Sequence, residues 1–202
     1  MITRRMAVVA VLAGALAASS APAGAFDPAQ TFRKGAFVLS LDGGAGIQNN
    51  LEDKRVQTGV DLWYLQGRAS ILPLGTSGKD GFFYGALEAG LEPIFQKYTG
   101  PVNAYFAGLG LAARYHFLSL GGFVPYLELG AAVGGTDLRV IEIDSSFAFR
   151  LYGGLGASFF VTDSAALYAG YRMVHISNGN TSRPNRGFEA DTGVAGLSFF
   201  FP

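Results

Sequence analysis

The chain has 202 residues, of which half are hydrophobic, 13% aromatic and only 15% charged, with 29 glycines and no cysteine. That charged share is well below the quarter usual in soluble domains, and the lack of cysteine excludes thiol chemistry, disulfides and Cys-based zinc sites. Fifteen basic residues balance fifteen acidic ones, which offers nucleic acid no electrostatic footprint.

In chain order, Arg4 and Arg5 precede an apolar run from Met6 to Ala18, and Ala23-Gly24-Ala25 supplies an A-x-A cleavage site. This pattern predicts a secretory signal peptide over residues 1–25 and one mature domain over residues 26–202, with a net charge near −2. No later stretch reaches 18 consecutive apolar residues, so a transmembrane helix is not expected. Phe26 to Lys34 reads as a short periplasmic tail.

From there on the signal is alternation. Eight segments, near 35–47, 58–72, 81–96, 103–116, 123–136, 146–161, 164–177 and 188–201, place apolar residues at every second position and small or polar ones between. Tyr105, Ala107, Leu109, Leu111, Ala113 and Tyr115 oppose Phe106, Gly108, Gly110, Ala112, Arg114 and His116. Leu127, Leu129, Ala131 and Val133 oppose Tyr126, Glu128, Gly130 and Ala132, and Phe147, Phe149, Leu151, Leu155 and Phe159 oppose Arg150, Tyr152, Gly154 and Ser158. A barrel in lipid must be apolar outside and small or polar within, so the expected fold is all-β, an eight-stranded antiparallel transmembrane β-barrel.

Glu88, Glu92 and Arg172 fall on the small-residue face, where both signs of charge can neutralise one another in a lumen too narrow to conduct. His116 reads as a packed histidine on that face. In the second segment Val60 and Leu62 are out of phase with Leu65, Ala69 and Ile71, which predicts a bulge near Trp63. The connections 48–57, 97–102, 137–145 and 178–187 are polar and alternate with those near 73–80, 117–122 and 162–163, which makes them extracellular when both termini are periplasmic.

The seventh segment ends unusually. Counted from Leu167, Ala169, Tyr171 and Met173, the next outward positions are His175 and Ser177, two polar residues where lipid is expected. Residues i and i+2 of a strand share a face, so imidazole and hydroxyl can meet, and Glu189 opens the partner strand of the same hairpin. A nucleophile, its base and the base's orienter have these residue types. A frayed hairpin top has them too, and Asp191 is an alternative orienter.

The string His175-x-Ser177-Asn178, followed by Pro184-Asn185-x-Gly187-x-Glu189, resembles the lipid A 3-O-deacylase family (the PagL type) of Gram-negative outer membranes. The resemblance implies an outer-membrane esterase without metal or organic cofactor that removes the 3-O-linked acyl chain of lipid A in the outer leaflet. It implies Ser177 as nucleophile, His175 as general base and Glu189 as its orienter. Asn178, Asn185 and the Gly187 loop would shape the oxyanion hole, and a homodimer is compatible with it. Lys54, Arg55, Arg183 and Arg186 are either phosphate ligands or ordinary loop charges. Two other readings stay open: a non-catalytic outer-membrane barrel, and a soluble lipid-binding barrel with its faces inverted.

Overall fold

The computed structural model describes residues 26–51, 56–79 and 81–202. The expected signal peptide and the loop residues Lys54 and Arg55 lie outside the described residues. One helical turn, α1 (Pro28–Thr31), precedes β1 (Phe37–Gln48), β2 (Asp61–Ile71), the two-residue β3 (Thr76–Ser77), β4 (Gly85–Gly100), β5 (Ala104–Phe117), β6 (Phe123–Thr136), β7 (Phe147–Thr162), β8 (Ala165–Ser177) and β9 (Phe188–Phe201). The eight long strands pair antiparallel with their neighbours, and pairing of β1 with β9 and of β2 with β4 closes the sheet into a barrel. Closure satisfies every strand edge, which is what a sheet in lipid requires. The shortest barrel strand has 11 residues and the longest 16, enough for a tilted strand to cross a bilayer.

Period-2 alternation decides the two faces. Leu41, Leu65, Leu91, Leu109, Leu127 and Leu155 stand exposed on the outer wall, while Arg68, Arg114, Arg150, Arg172, Glu88, Glu92 and Glu128 point inward and are buried. An apolar exterior around a polar interior places the lipid outside and excludes the inverted, soluble barrel.

Inside, Glu128 of β6 accepts hydrogen bonds from Arg114 of β5 (Nη2 to Oε2, 2.9 Å), Arg172 of β8 (Nε to Oε1, 2.7 Å) and Arg68 of β2 (Nη2 to Oε2, 3.0 Å). Arg172 also donates to Asp42 of β1. Tyr152 donates to Glu92, and Arg114 lies 4.2 Å from the centre of the Tyr126 ring. Each charge deep in the barrel thus has partners on other strands, which offsets the cost of removing it from water. His116 of β5 is buried and bonded through Nε2 to Glu88 (2.8 Å).

Three features differ from the sequence-based expectation. The irregularity expected near Trp63 lies between Asp61 and Leu62 on the β4 side, but β2 pairs with β1 without a break from Asp61 to Ile71 and the phase is not shifted. Val60 and Leu62 are in phase and point inward, where they join Ile94, Tyr98, Phe106, Leu138, Ile143, Ile176 and Phe188 in an apolar cap under the extracellular loops. The apparent phase error arose from assuming that inward positions are polar along the whole strand.

The third long strand begins at Gly85 and not near residue 81, because β3 and its turn occupy the approach. Phe26 to Lys34 is not a free tail. Asp27 caps α1 by accepting from the Ala29 amide (2.9 Å), and Phe32 inserts fully into the periplasmic mouth against His116, Phe160 and Phe200. Thr31 fastens this plug to the β7–β8 turn through the Asp163 carbonyl (2.7 Å).

Candidate active site

β8 carries its alternation to its last residue. Val174 and Ile176 point into the cap and are buried, so His175 and Ser177 point outward above Met173 and Tyr171. The register of the β8–β9 hairpin sets His175 directly opposite Glu189. Their side chains meet on the outer wall, with His175 Nδ1 2.8 Å from Glu189 Oε1. A carboxylate only accepts, so Nδ1 carries the hydrogen and Nε2 keeps its lone pair for a proton from elsewhere. His175 is about one-third exposed and Glu189 one-fifth, so the pair stands at a surface and not in a chamber.

Glu189 is held from a second side. The Leu51 amide donates to its Oε2 (3.1 Å), and the Asn49 amide donates to its backbone carbonyl (2.8 Å). Asp191, the alternative orienter, lies two residues further into the wall and accepts from Tyr171 Oη and Asn49 Nδ2, each at 2.5 Å. The imidazole bond therefore goes to Glu189.

Gly187 closes the other edge of the ring. It is buried at φ +67°, and a Cβ built on it would stand 2.9 Å from His175 Cε1 and 3.3 Å from Nε2. Only glycine accepts both that backbone angle and that approach at low cost.

Ser177 sits opposite Phe149 of β7, and its hydroxyl makes no hydrogen bond to a described residue. Hydroxyl and imidazole share a face of one strand two residues apart, and such bonds commonly tighten only around a substrate.

The loop from Asn178 to Gly187 is internally bonded. Asn178 is fully buried, its amide donates to Asn185 Oδ1 (2.8 Å), and its Nδ2 donates to Ser182 Oγ (2.9 Å). Asn185 Nδ2 donates to Asn180 Oδ1 (3.1 Å). The two asparagines are thus brought together, and each spends hydrogens on holding the loop. The amides of Gly179 and Asn180, beside Ser177, make no hydrogen bond to a described residue. Arg183 and Arg186 are exposed on the same loop, and Arg186 Nη2 donates to the Val56 carbonyl (2.8 Å).

One residue near the site was not singled out from the sequence. Glu142, in the connection between β6 and β7, is fully buried and accepts from Gln48 Nε2 (2.7 Å), the Thr58 amide (2.8 Å) and Thr58 Oγ1 (2.6 Å). Burial pushes its carboxyl up, but the hydrogen bonds from Thr58 and Gln48 outweigh this and hold it below the usual carboxylate range. The available signal was the β-branched residues Val140, Ile141 and Ile143 around Glu142, strand-like within a loop. Among the described residues no cluster of histidine and carboxylates is placed to hold a metal ion.

Comparison with known proteins bears on the family and the fold. The family model described as lipid A 3-O-deacylase (PagL) matches residues 55–198. Among solved structures, the outer membrane enzyme PagL superposes with a TM-score of 0.58 at 16% identity, covering 78% of this chain and 97% of that one. Neisserial surface protein A superposes with a TM-score of 0.55 at 18% identity, covering 82% of this chain and 99% of that one. These two likenesses concern the fold, and no curated protein matches the chain. With the family match extending from the first long loop to the last strand, the chain belongs to the lipid A 3-O-deacylase family and resides in the bacterial outer membrane.

Proposed function

We propose that this chain is an outer-membrane esterase that removes the 3-O-linked acyl chain of lipid A, with Ser177 as nucleophile, His175 as general base and Glu189 as its orienter. The observation that carries the reading is the 2.8 Å His175–Glu189 bond on the lipid-facing wall, with Ser177 on the same strand face, in a chain of this family.

Ser177 Oγ attacks the ester carbonyl while His175 Nε2 takes its proton. Collapse of the tetrahedral intermediate returns that proton to the departing sugar oxygen and leaves an acyl-serine. Water, deprotonated by the same nitrogen, then releases the 3-hydroxy fatty acid. Glu189 holds Nδ1–H throughout and stabilises the imidazolium. The unused amides of Gly179 and Asn180 are the oxyanion donors, each worth about 3 kcal/mol in the transition state, and Asn178 and Asn185 act by fixing the loop that presents them.

An outward site leaves the substrate in its leaflet. The scissile ester approaches from the side, and its acyl chain lies along the apolar wall of Met173 and Leu151. Extraction of a lipid into a closed lumen is avoided.

The test is mass spectrometry of lipid A from cells that make either the wild type or Ser177→Ala, with folding of both checked by heat-modifiable gel mobility. Loss of one 3-hydroxyacyl chain with the wild type alone is expected. Unchanged lipid A in both strains would leave a non-catalytic barrel.

A further inference from the structure

Besides the mutual bond of the His175–Glu189 pair, Gly187 lies against the ring edge of His175, and the Leu51 amide donates to the Glu189 carboxylate at Oε2. Gly187 and Leu51 come from different connections, and described residues of both bond to one buried residue, Glu142. The carboxylate of Glu142 gathers the base of the first loop through Gln48 Nε2, the Thr58 amide and Thr58 Oγ1. Gln48 in turn accepts from the Gly59 and Val60 amides through Oε1 and donates to Asn50 Oδ1, the residue before Leu51. The backbone carbonyl of Glu142 accepts from the Arg186 amide (2.8 Å) and the Gly187 amide (3.2 Å).

The segment around Glu142 is itself anchored. Leu138 and Ile143 are buried in the apolar cap, Ile143 bridges to Asn185, and Ser182 Oγ donates to the Asp144 carbonyl (2.6 Å). Glu142 thus stands on a rigid platform and reaches both loops.

We propose that Glu142 is a positioning residue for the His175–Glu189 pair. Its carboxylate sets the first loop so that the Leu51 amide meets Glu189, and its carbonyl sets Gly187 against the imidazole. The roles assigned to that pair rest on the proposed function, but the positioning itself can be read without turnover. A side chain with acceptor oxygens suits the place because Gln48 Nε2 and the Thr58 amide, both on Oε1, can only donate, and the Thr58 hydroxyl donates to Oε2. Gln48 cannot turn its amide round to offer oxygen, since Oε1 already serves two backbone amides.

Glu142→Leu tests this with little change in size. Leucine accepts no hydrogen bond, so the first loop loses its tie while the backbone bonds to Gly187 remain; a glutamine would keep it, its oxygen taking Gln48 Nε2 and the Thr58 amide and its NH2 donating to Thr58 Oγ1. In full-length protein refolded into detergent, kcat is expected to fall about tenfold with KM changed less than twofold, the signature of misplaced groups rather than lost binding. The second readout is the downfield proton of His175 Nδ1–H in bond with Glu189, assigned by its absence from His175→Ala. It is expected to shift or broaden in Glu142→Leu while heat-modifiable mobility stays that of folded barrel.

An unchanged His175 resonance together with kcat within twofold of wild type would overturn the proposal. If wild type hydrolyses no lipid A, the resonance alone decides: persistence in the variant overturns the positioning role, and loss supports it. Retained activity in Ser177→Ala would count against the nucleophile and leave the resonance result standing.

Discussion

Gly187→Ala puts the smallest possible group against the imidazole, and its cost divides into two parts. At φ +67° an alanine stores backbone strain of about 1–2 kcal/mol, which appears as lost stability. Its Cβ would lie 2.9 Å from His175 Cε1, about 0.5 Å inside the 3.4 Å where ordinary contact begins. The Ile176 carbonyl on the other side, at 3.0 Å, is backbone of the same barrel strand and yields less than the ring. The ring must therefore move by about half an ångström or turn away from Glu189. A displacement of 1 Å costs about a hundredfold in rate where geometry is matched, so a fall of about tenfold in kcat is expected. Initial rates on purified hexa-acylated lipid A in mixed micelles give kcat, and urea unfolding gives the stability loss separately. If Gly187→Ala lost about 1 kcal/mol of stability but kept wild-type kcat, the contact would not position the ring.

Three further outcomes follow from other parts of the molecule. Glu189→Gln preserves size but can present an N–H to Nδ1 and so favour the wrong tautomer; activity should drop at least ~100-fold at unchanged gel mobility, and near-wild-type turnover would remove Glu189 from the mechanism. Glu128→Ala leaves Arg68, Arg114 and Arg172 short of a shared carboxylate deep in the lumen and should cost about 3–5 kcal/mol in urea unfolding, while activity per folded molecule is retained. Because the folded pKa of Glu142 is depressed, its stabilisation of the loops is fully present above the ordinary carboxylate value of about 4.3 and is lost as pH falls through the lower folded value. Amide exchange at Thr58, Gly59 and Val60, corrected for intrinsic rates, should therefore rise below about pH 4 in wild type and show no such step in Glu142→Gln.

Much of the barrel is legible because a strand has only two faces. Once Leu109, Leu111 and Ala113 are given to lipid, Arg114 and His116 have nowhere to point but inward, and the same count carries His175 outward past Met173. The place of Glu189 was legible for a related reason: a hairpin of known strands fixes which residues oppose one another. What alternation cannot report is composition along the lumen axis. Val60 and Leu62 looked misplaced because the lumen changes from charged at Arg68 to apolar under the loops.

Contacts between distant segments were harder still. Phe32 fills a mouth built by β5, β7 and β9, and nothing in FDPAQTFRK names those strands. Glu142 reads as one more loop acid until Gln48, 94 residues earlier, is brought to it by closure of the barrel. Local rules govern how each strand lies, whereas the plug and the loop junction are decided by tertiary packing.

The barrel is filled from end to end, with Phe32 below, an ion-pair lattice in the middle and the Leu138–Ile143 cap above. Among the described residues its lumen is lined by packed and ion-paired side chains and is not an open chamber for a reactant. Any chemistry it performs draws on molecules arriving by diffusion in two dimensions, so its working concentration is a mole fraction in the surrounding leaflet. Diluting the lipid with inert detergent at constant bulk concentration should then slow it as directly as removing substrate.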